Sequence, residues 1–351
     1  KNVKCIRDMG NLACKMIKDY EWDLFTIVFA STDRTQHNLW KYWNEENNKY
    51  KDGINQGYIE IDKYIGKFME LVPKDTIVFL VSDHGFCDLK GGVVINNILR
   101  ENGFMKTKKS KISSKIFMAG AKALFKIYKK MYGIQYKSVL KKYFPKLGSK
   151  IASSLTYSNV DWDMTKAFAV SSGNICINLK GREPRGCVSK EEYEGLRDKI
   201  IESLKRVEDN GMKVFEGVYK REEVYSGNAL EEAPDIIVNF NDGYRGIMFG
   251  FGGKETIKKS DDIFTSDVSG THARDGIFAA YGNCIKNNLK RKPKIIDMAP
   301  TILTLLGLKP TKEMDGVLLD IINKKNLRHS KFTKIKDEEE RIKDVVKGLD
   351  L

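Results

Sequence analysis

No apolar run in the 351 residues approaches the ~18 to 20 needed to cross a bilayer, and no charged, apolar, small-residue leader opens the sequence. A membrane-spanning helix is therefore not expected, and a cytoplasmic location is. Cysteine is sparse and scattered, at Cys5, Cys14, Cys87, Cys176, Cys187 and Cys284, with no Cys-x-x-Cys pair. This excludes a disulfide scaffold and a zinc finger, and the thiols are expected to be reduced and mostly buried. The sequence also lacks a Gly-x-Gly-x-x-Gly fingerprint and a Walker loop; Gly250, Gly252 and Gly253 read as turn residues, as do Asn241 to Arg245. Histidine is rare, with His37, His84, His272 and His329 the complete set.

What is present is a globular composition, 41% hydrophobic and 31% charged, long enough for one large α/β domain with an insertion or for two ordinary domains. The formal charge of +14 is concentrated. From Lys106 to Lys150 there are fourteen lysines, no arginine and no acid, so the remainder is neutral. Ile112, Ile116, Phe117, Ala123, Leu124, Ile127, Tyr128 and Met131 fall at three- and four-residue steps and predict a helix with an apolar face and a lysine face. Such a helix caps a cleft or lies on an anionic membrane surface, here through residues 105–150. The Lys-, Asn- and Ile-rich character of the whole chain offers a plain compositional explanation as well. Aromatic residues in this stretch fit a packed face better than a stacking platform, so specific nucleic-acid binding is not expected.

Apolar runs place strands at 23–30 and 76–81 with a long helix between them at 54–71, which predicts a parallel βαβ unit buried on both faces. Further strands are predicted at 166–170, 175–179, 234–240 and 276–281. Helices are predicted at the start, at 191–206, and at 295–306 with its end at Gly307. The fold class is α/β, a mostly parallel central sheet with helices on both faces and a helical basic insertion. The expected division is a first core part at 1–104, a Lys-rich lid at 105–165, a second core part at 166–325, and a charged helical tail at 326–351.

Three motifs carry chemistry. Asp33 and His37 are one turn apart if a helix begins there, so both project the same way toward one cation; an Asp at a helix start serves equally as an N-cap. Asp83 and His84 follow the strand at 76–81, where ligand sites form in open parallel sheets, and Gly85 permits the turn that brings them together. His272 stands among small and turn residues just before the strand at 276–281, and Asp275 either orients it or shapes the turn. Asp33, His37, Asp83, His84 and His272 are mixed N/O ligands suited to zinc, manganese or iron. Five exceed the needs of a single catalytic ion with an open position, so the count points to two metals.

These residues resemble the alkaline phosphatase superfamily, and within it the type I phosphodiesterase/nucleotide pyrophosphatase branch. The resemblance runs through Thr32-Asp-Arg-Thr-Gln-His37, Val81-Ser-Asp-His-Gly-Phe86, Gly270-Thr-His272 with Asp275-Gly-Ile-Phe278, and Asp297-Met-Ala-Pro-Thr-Ile-Leu303 with Met314-Asp-Gly316. It implies one ion held by Asp33, His37 and His272 and a second by Asp83 and His84, with a Thr or Ser nucleophile forming a covalent phospho-enzyme. The gap of 188 positions from His84 to His272 favours this branch over the related phosphoglycerate mutases. In the family a further metal-binding Asp and the nucleophile precede the Asp-x-x-x-His motif. The 32 residues upstream of Asp33 read as one helix plus one strand, so the sequence is expected to be amino-terminally incomplete, with the nucleophile upstream of Lys1 and turnover impaired. The expected substrate is a small phosphate ester or nucleotide. A phosphomonoesterase or phosphotransferase of the same superfamily, or an inactive protein binding anionic surfaces, are the alternatives; the histidine-rich ligand set argues against a sulfatase, whose calcium-type site prefers oxygen.

Overall fold

The computed structural model describes residues 2–108, 157, 160–170, 173–247, 255–259, 268–286 and 289–322. The first elements are α1 (Asn2–Asp19), α2 (Ser31–Leu39), α3 (Gly53–Leu71), β1 (Val78–Val81), β2 (Gly85–Asp88), β3 (Gly91–Val93), α4 (Ile95–Glu101), β4 (Ala167–Val170) and β5 (Asn174–Ile177). There follow α5 (Lys190–Lys205), β6 (Glu208–Asp209), β7 (Met212–Lys213), β8 (Phe215–Lys220), α6 (Arg221–Val224), β9 (Ile236–Phe240), β10 (Tyr244–Gly246), β11 (Ile257–Lys259), β12 (Gly270–Ala273), β13 (Phe278–Tyr281) and α7 (Met298–Leu305). Among the described residues no helix is long and apolar enough to cross a membrane. The chain divides into two compact units, Lys1–Phe86 with His272–Leu351, and Cys87–Thr271.

In the first unit the helical period of α1 buries Ile6, Gly10, Ala13 and Ile17 on one face, toward α3. Gly10 is required there, because a Cβ would lie 2.4 Å from the Tyr64 ring. Ile6, Ile61 and Tyr64 form a small core with Phe29 and Phe68, and each such side chain withdrawn from water contributes about 1.5–3 kcal/mol. Arg7 clamps the same crossing from outside with a two-pronged bond to Glu60 at 2.8 and 3.2 Å. Thr35 fixes α2: its hydroxyl donates to the Ser31 carbonyl at 2.6 Å and accepts from the Asn2 amide at 2.8 Å. Elsewhere in this unit β1 runs antiparallel to β13, with Val78 opposite Tyr281 and Val81 opposite Phe278. Phe79, Phe278 and Ala280 from this pair cover Cys284, Leu305, Leu319 and Ile322. Helix α7 stops where Gly307 takes φ +78°, with Gly307 N–H on the Thr304 carbonyl and Leu308 N–H on the Leu303 carbonyl. This is the glycine stop that the sequence predicts.

The second unit is built on an antiparallel sheet in the order β4-β5-β9-β8. Helix α5 packs by β8 and is opened by a reciprocal Ser189/Glu192 cap. Strand β3 lies between β10, parallel to it, and β11, antiparallel.

The α/β class is observed, but the described strands make several small, mostly antiparallel sheets rather than one parallel central sheet. Residues 23–30 are not a ladder strand. Leu24 and Val28 are exposed at 55% and 69%, while Phe25, Ile27 and Phe29 are half-buried. The apolar run dictates an extended, alternating chain packed on one side; a ladder also needs a partner strand, and none of the described residues provides it, so no parallel βαβ unit forms among the described residues. The cysteines are all free, but only Cys284 is buried; Cys5 is exposed and the other four are intermediate, Cys14 and Cys187 at the margins of the cores. Most of the predicted 105–165 lid, the glycines at 250, 252 and 253, and the tail at 326–351 lie outside the described residues.

Candidate metal centre

Helix α2 begins at Ser31 with Ala30 as its N-cap, and no side chain caps it. Asp33 is thus inside the first turn and not spent on capping, which resolves the two roles open to it. One turn later His37 projects the same way, and its Nε2 lies 3.4 Å from Asp33 Oδ1.

His84 follows β1. Its Nδ1 is 3.0 Å from the Gly85 carbonyl, which leaves Nε2 facing Asp33 Oδ1 at 3.9 Å. Asp83 is less convergent: its Oδ2 lies 3.4 Å from His84 Nε2, but its side chain is 83% exposed. Gly85 contributes close approach rather than a special φ, since a Cβ there would meet the Asp275 carbonyl oxygen at 2.1 Å. Asp275 itself shapes this contact through its backbone, and its carboxylate bonds Lys292 at 3.1 Å.

His272 comes from β12 and completes the group. It stacks on His84 with ring centroids 3.7 Å apart, and its Nε2 is 3.1 Å from His37 Nε2 and 3.3 Å from Asp33 Oδ1. Burial pushes its pKa below the ordinary value, and the neighbouring His84 and His37 add to this against the pull of Asp33. A neutral ring with an available lone pair is therefore favoured near pH 7. Ligand atoms of Asp33, His37 and His272 all lie within 4.8 Å of one another. Asp33 Oδ1 is buried and accepts no hydrogen bond among the described residues, although three imidazole nitrogens surround it. A buried carboxylate oxygen ringed by imidazole nitrogens is a mixed N/O donor set that fits a divalent ion.

Sequence reasoning missed the aromatic wall. Phe86 sets its ring 4.8 Å from that of His37 and 5.4 Å from that of His272. Trp40 lies against Phe86 at 5.8 Å. The signal was available: Trp40 is seven residues beyond Asp33, two turns along the same helical face.

Searches of curated proteins and of solved structures return no match. The family model for Type I phosphodiesterase / nucleotide pyrophosphatase matches residues 6–261. That span contains Asp33, His37, Asp83 and His84, while His272 lies beyond it and joins them through the fold alone. With more than two thirds of its length matched, the chain belongs to the type I phosphodiesterase / nucleotide pyrophosphatase family.

Proposed function

We propose that the chain is a metal-dependent hydrolase of phosphate esters, of the phosphodiesterase or pyrophosphatase kind, acting on a small ester or nucleotide. In this reading Asp33, His37 and His272 hold one divalent ion, and His84 with Asp83 takes part in a second site. Zinc is the leading candidate, with manganese or iron as alternatives, since imidazole and carboxylate donors suit all three. The single observation that carries the reading is the unsatisfied Asp33 Oδ1 in the midst of His37, His84 and His272. Bound divalent ions would supply Lewis-acid neutralisation of the phosphoryl oxygens.

The protein's own contribution is orientation. The Gly85 carbonyl aims Nε2 of His84 inward, Phe86 excludes water from one side of His37 and His272, and Thr35 pins the helix that carries Asp33. A Thr or Ser hydroxyl is the expected nucleophile. The hydroxyls nearest in sequence to the ligands are already engaged: Thr32 donates to the Phe29 carbonyl, Thr35 to that of Ser31, and Ser82 accepts from Ile277 N–H. In this reading the attacking hydroxyl is one other than these three.

Metal analysis together with hydrolysis of bis(4-nitrophenyl) phosphate and 4-nitrophenyl phosphate tests the proposal. Bound divalent metal, lost in His272→Ala, with diester cleavage abolished by chelation, is the expected result. Diester turnover indifferent to both chelation and His272→Ala would sink it.

A further inference from the structure

Helix α5 borders a cavity of about 480 Å3 in the second unit, and none of the residues that line it takes part in the metal centre. Lys190, Tyr193, Glu194 and Arg197 fall at three- and four-residue steps, so they share the helix face that lines it. Arg221 and Glu222 from α6, and Glu231 from a 3-10 turn at Leu230–Glu232, add to that lining. The two most buried lining charges are guanidiniums, Arg197 at 2% and Arg221 at 7% exposure. Both reach Asp235, Arg197 at its carbonyl (3.4 Å) and Arg221 at its carboxylate (3.6 Å), so they stand side by side.

The two are countered differently. Glu222 grips both terminal nitrogens of Arg197, at 2.8 and 2.5 Å, and this pairing draws the Glu222 pKa down to about 2. Arg221 has one terminal nitrogen on the Glu231 and Ala233 carbonyls, at 3.1 and 3.3 Å, and the other on the Glu231 carboxylate. The two backbone bonds hold the guanidinium in place whether or not that carboxylate stays. The Glu231 side chain is 81% exposed, so turning its carboxylate into water costs little, whereas the guanidinium behind it is buried and needs an anion. The cations of the cavity are Arg182, Lys190, Arg197 and Arg221; its carboxylates are Glu194, Glu222, Glu231 and, bonded to Arg182, Asp235. They balance, so withdrawal of Glu231 leaves one positive charge, centred on Arg221.

We propose that this cavity is a binding site for a small organic monocarboxylate, and that the Glu231 side chain is its internal stand-in. The ligand's carboxylate replaces that of Glu231 on Arg221, which keeps the charge balance and the geometry of the guanidinium contact. Its apolar body lies against Leu179 and Leu230, the aliphatic residues of the lining. A cavity of this volume holds considerably more than the two oxygens that Glu231 supplies, which favours an organic acid over a bare inorganic ion.

Calorimetric titration of the full chain with hexanoate, hexan-1-ol and inorganic phosphate tests it. Glu231 competes as a tethered carboxylate at high effective concentration, so Glu231→Ala is expected to bind hexanoate at least about tenfold tighter than wild type. Glu231→Gln, which keeps an acceptor for Arg221 but no charge, should move the affinity in the same direction by a smaller factor and serves should Glu231→Ala fold poorly. Hexan-1-ol should respond to neither change. Adding Arg221→Met to Glu231→Ala, which removes the guanidinium while filling its volume, should abolish the gain. Hexanoate affinity equal to wild type in both Glu231 variants, or no binding by any of these proteins up to about 10 mM, overturns the proposal. A gain that survives Arg221→Met places the acid elsewhere and overturns it too, and phosphate binding Glu231→Ala more tightly than hexanoate overturns the carboxylate assignment.

Discussion

His37 and His272 are 235 positions apart in the chain, and their Nε2 atoms are 3.1 Å apart. Two imidazolium ions would repel at that distance, so at least one ring is neutral, and Asp33 Oδ1 stands 3.4 and 3.3 Å from the same two nitrogens. A divalent cation relieves both problems by accepting two lone pairs and neutralising the carboxylate. Adding Mn2+ or Zn2+ at 100 times its dissociation constant should therefore stabilise the protein by about 2.7 kcal/mol at pH 7.5. The gain should fade as the pH is lowered from 7.5, because protons compete with the metal for its ligands, and Asp33→Ala, His37→Ala or His272→Ala should each weaken metal binding by tenfold or more. Thermal melts with and without metal across this pH range check it; a metal-induced shift that survives Asp33→Ala would refute the assignment.

Gly85 controls the same centre without being a ligand. A methyl group there would lie 2.1 Å from the Asp275 carbonyl oxygen, a backbone atom that cannot swing aside. Gly85→Ala should push the 274–276 turn from the end of β1, separate the stacked His84 and His272 rings, and lower Mn2+ affinity at least tenfold with far-UV circular dichroism preserved. Gly66 in α3 is the control, since a Cβ there meets nothing within 4 Å. Gly66→Ala should stabilise by roughly 0.5–1 kcal/mol and leave metal affinity unchanged.

The ease of reading these features from sequence follows their physical locality. The Asp33/His37 pair was legible because one helical turn aligns them, and the end of α7 because Gly307 alone tolerates its φ. His272 was legible through its motif, but the 3.7 Å stack on His84 depends on how β12 is held, which no local spacing encodes. The strand expected at 23–30 shows the limit. Alternation of Leu24, Thr26 and Val28 with Phe25, Ile27 and Phe29 fixes which side packs, yet pairing direction is a property of a partner strand. The parallel sheet was inferred from apolar runs, and the same runs are satisfied by the antiparallel β1–β13 pair.

In the second unit Asp235 is a buried hub. Its side chain is 1% exposed and accepts from Ile177 N–H at 2.6 Å, from two Arg182 nitrogens at 2.8 and 2.6 Å, and from the Tyr193 hydroxyl. Burial opposes its ionisation, but Arg182 and Tyr193 outweigh that and hold its pKa below the ordinary carboxylate value. Removing only the acid strands a partly buried guanidinium, so Asp235→Ala should cost about 3–5 kcal/mol in urea unfolding. The double variant Arg182→Met with Asp235→Ala should recover a substantial part of that loss. Purely additive losses in the cycle would show the pair to be energetically uncoupled.

Asp297 makes the pH dependence of the first unit predictable in sign. It is 2% exposed; one oxygen accepts from Val317 N–H at 2.9 Å, the other from Lys294 N–H at 2.8 Å and Arg291 at 2.9 Å. Burial works against the charge, but Arg291 and the two backbone donors prevail and hold the pKa at about 2, below the usual 3.8. A carboxylate whose pKa is lowered on folding adds stability that is complete above its unfolded value and lost as pH falls through the folded one. At 1.36 kcal/mol per unit the contribution is roughly 2 kcal/mol, present above about pH 4.5 and gone near pH 2. Asp297→Asn keeps the shape, but its amide N–H2 must confront donors on either side, Val317 N–H or the pair from Lys294 and Arg291. The variant should be less stable than wild type by about 1–3 kcal/mol at pH 7 and nearly equal to it at pH 2. Urea melts of both proteins at the two pH values decide it. A deficit that stays the same size at pH 2 would mean that Asp297 acts through packing, with its charge irrelevant.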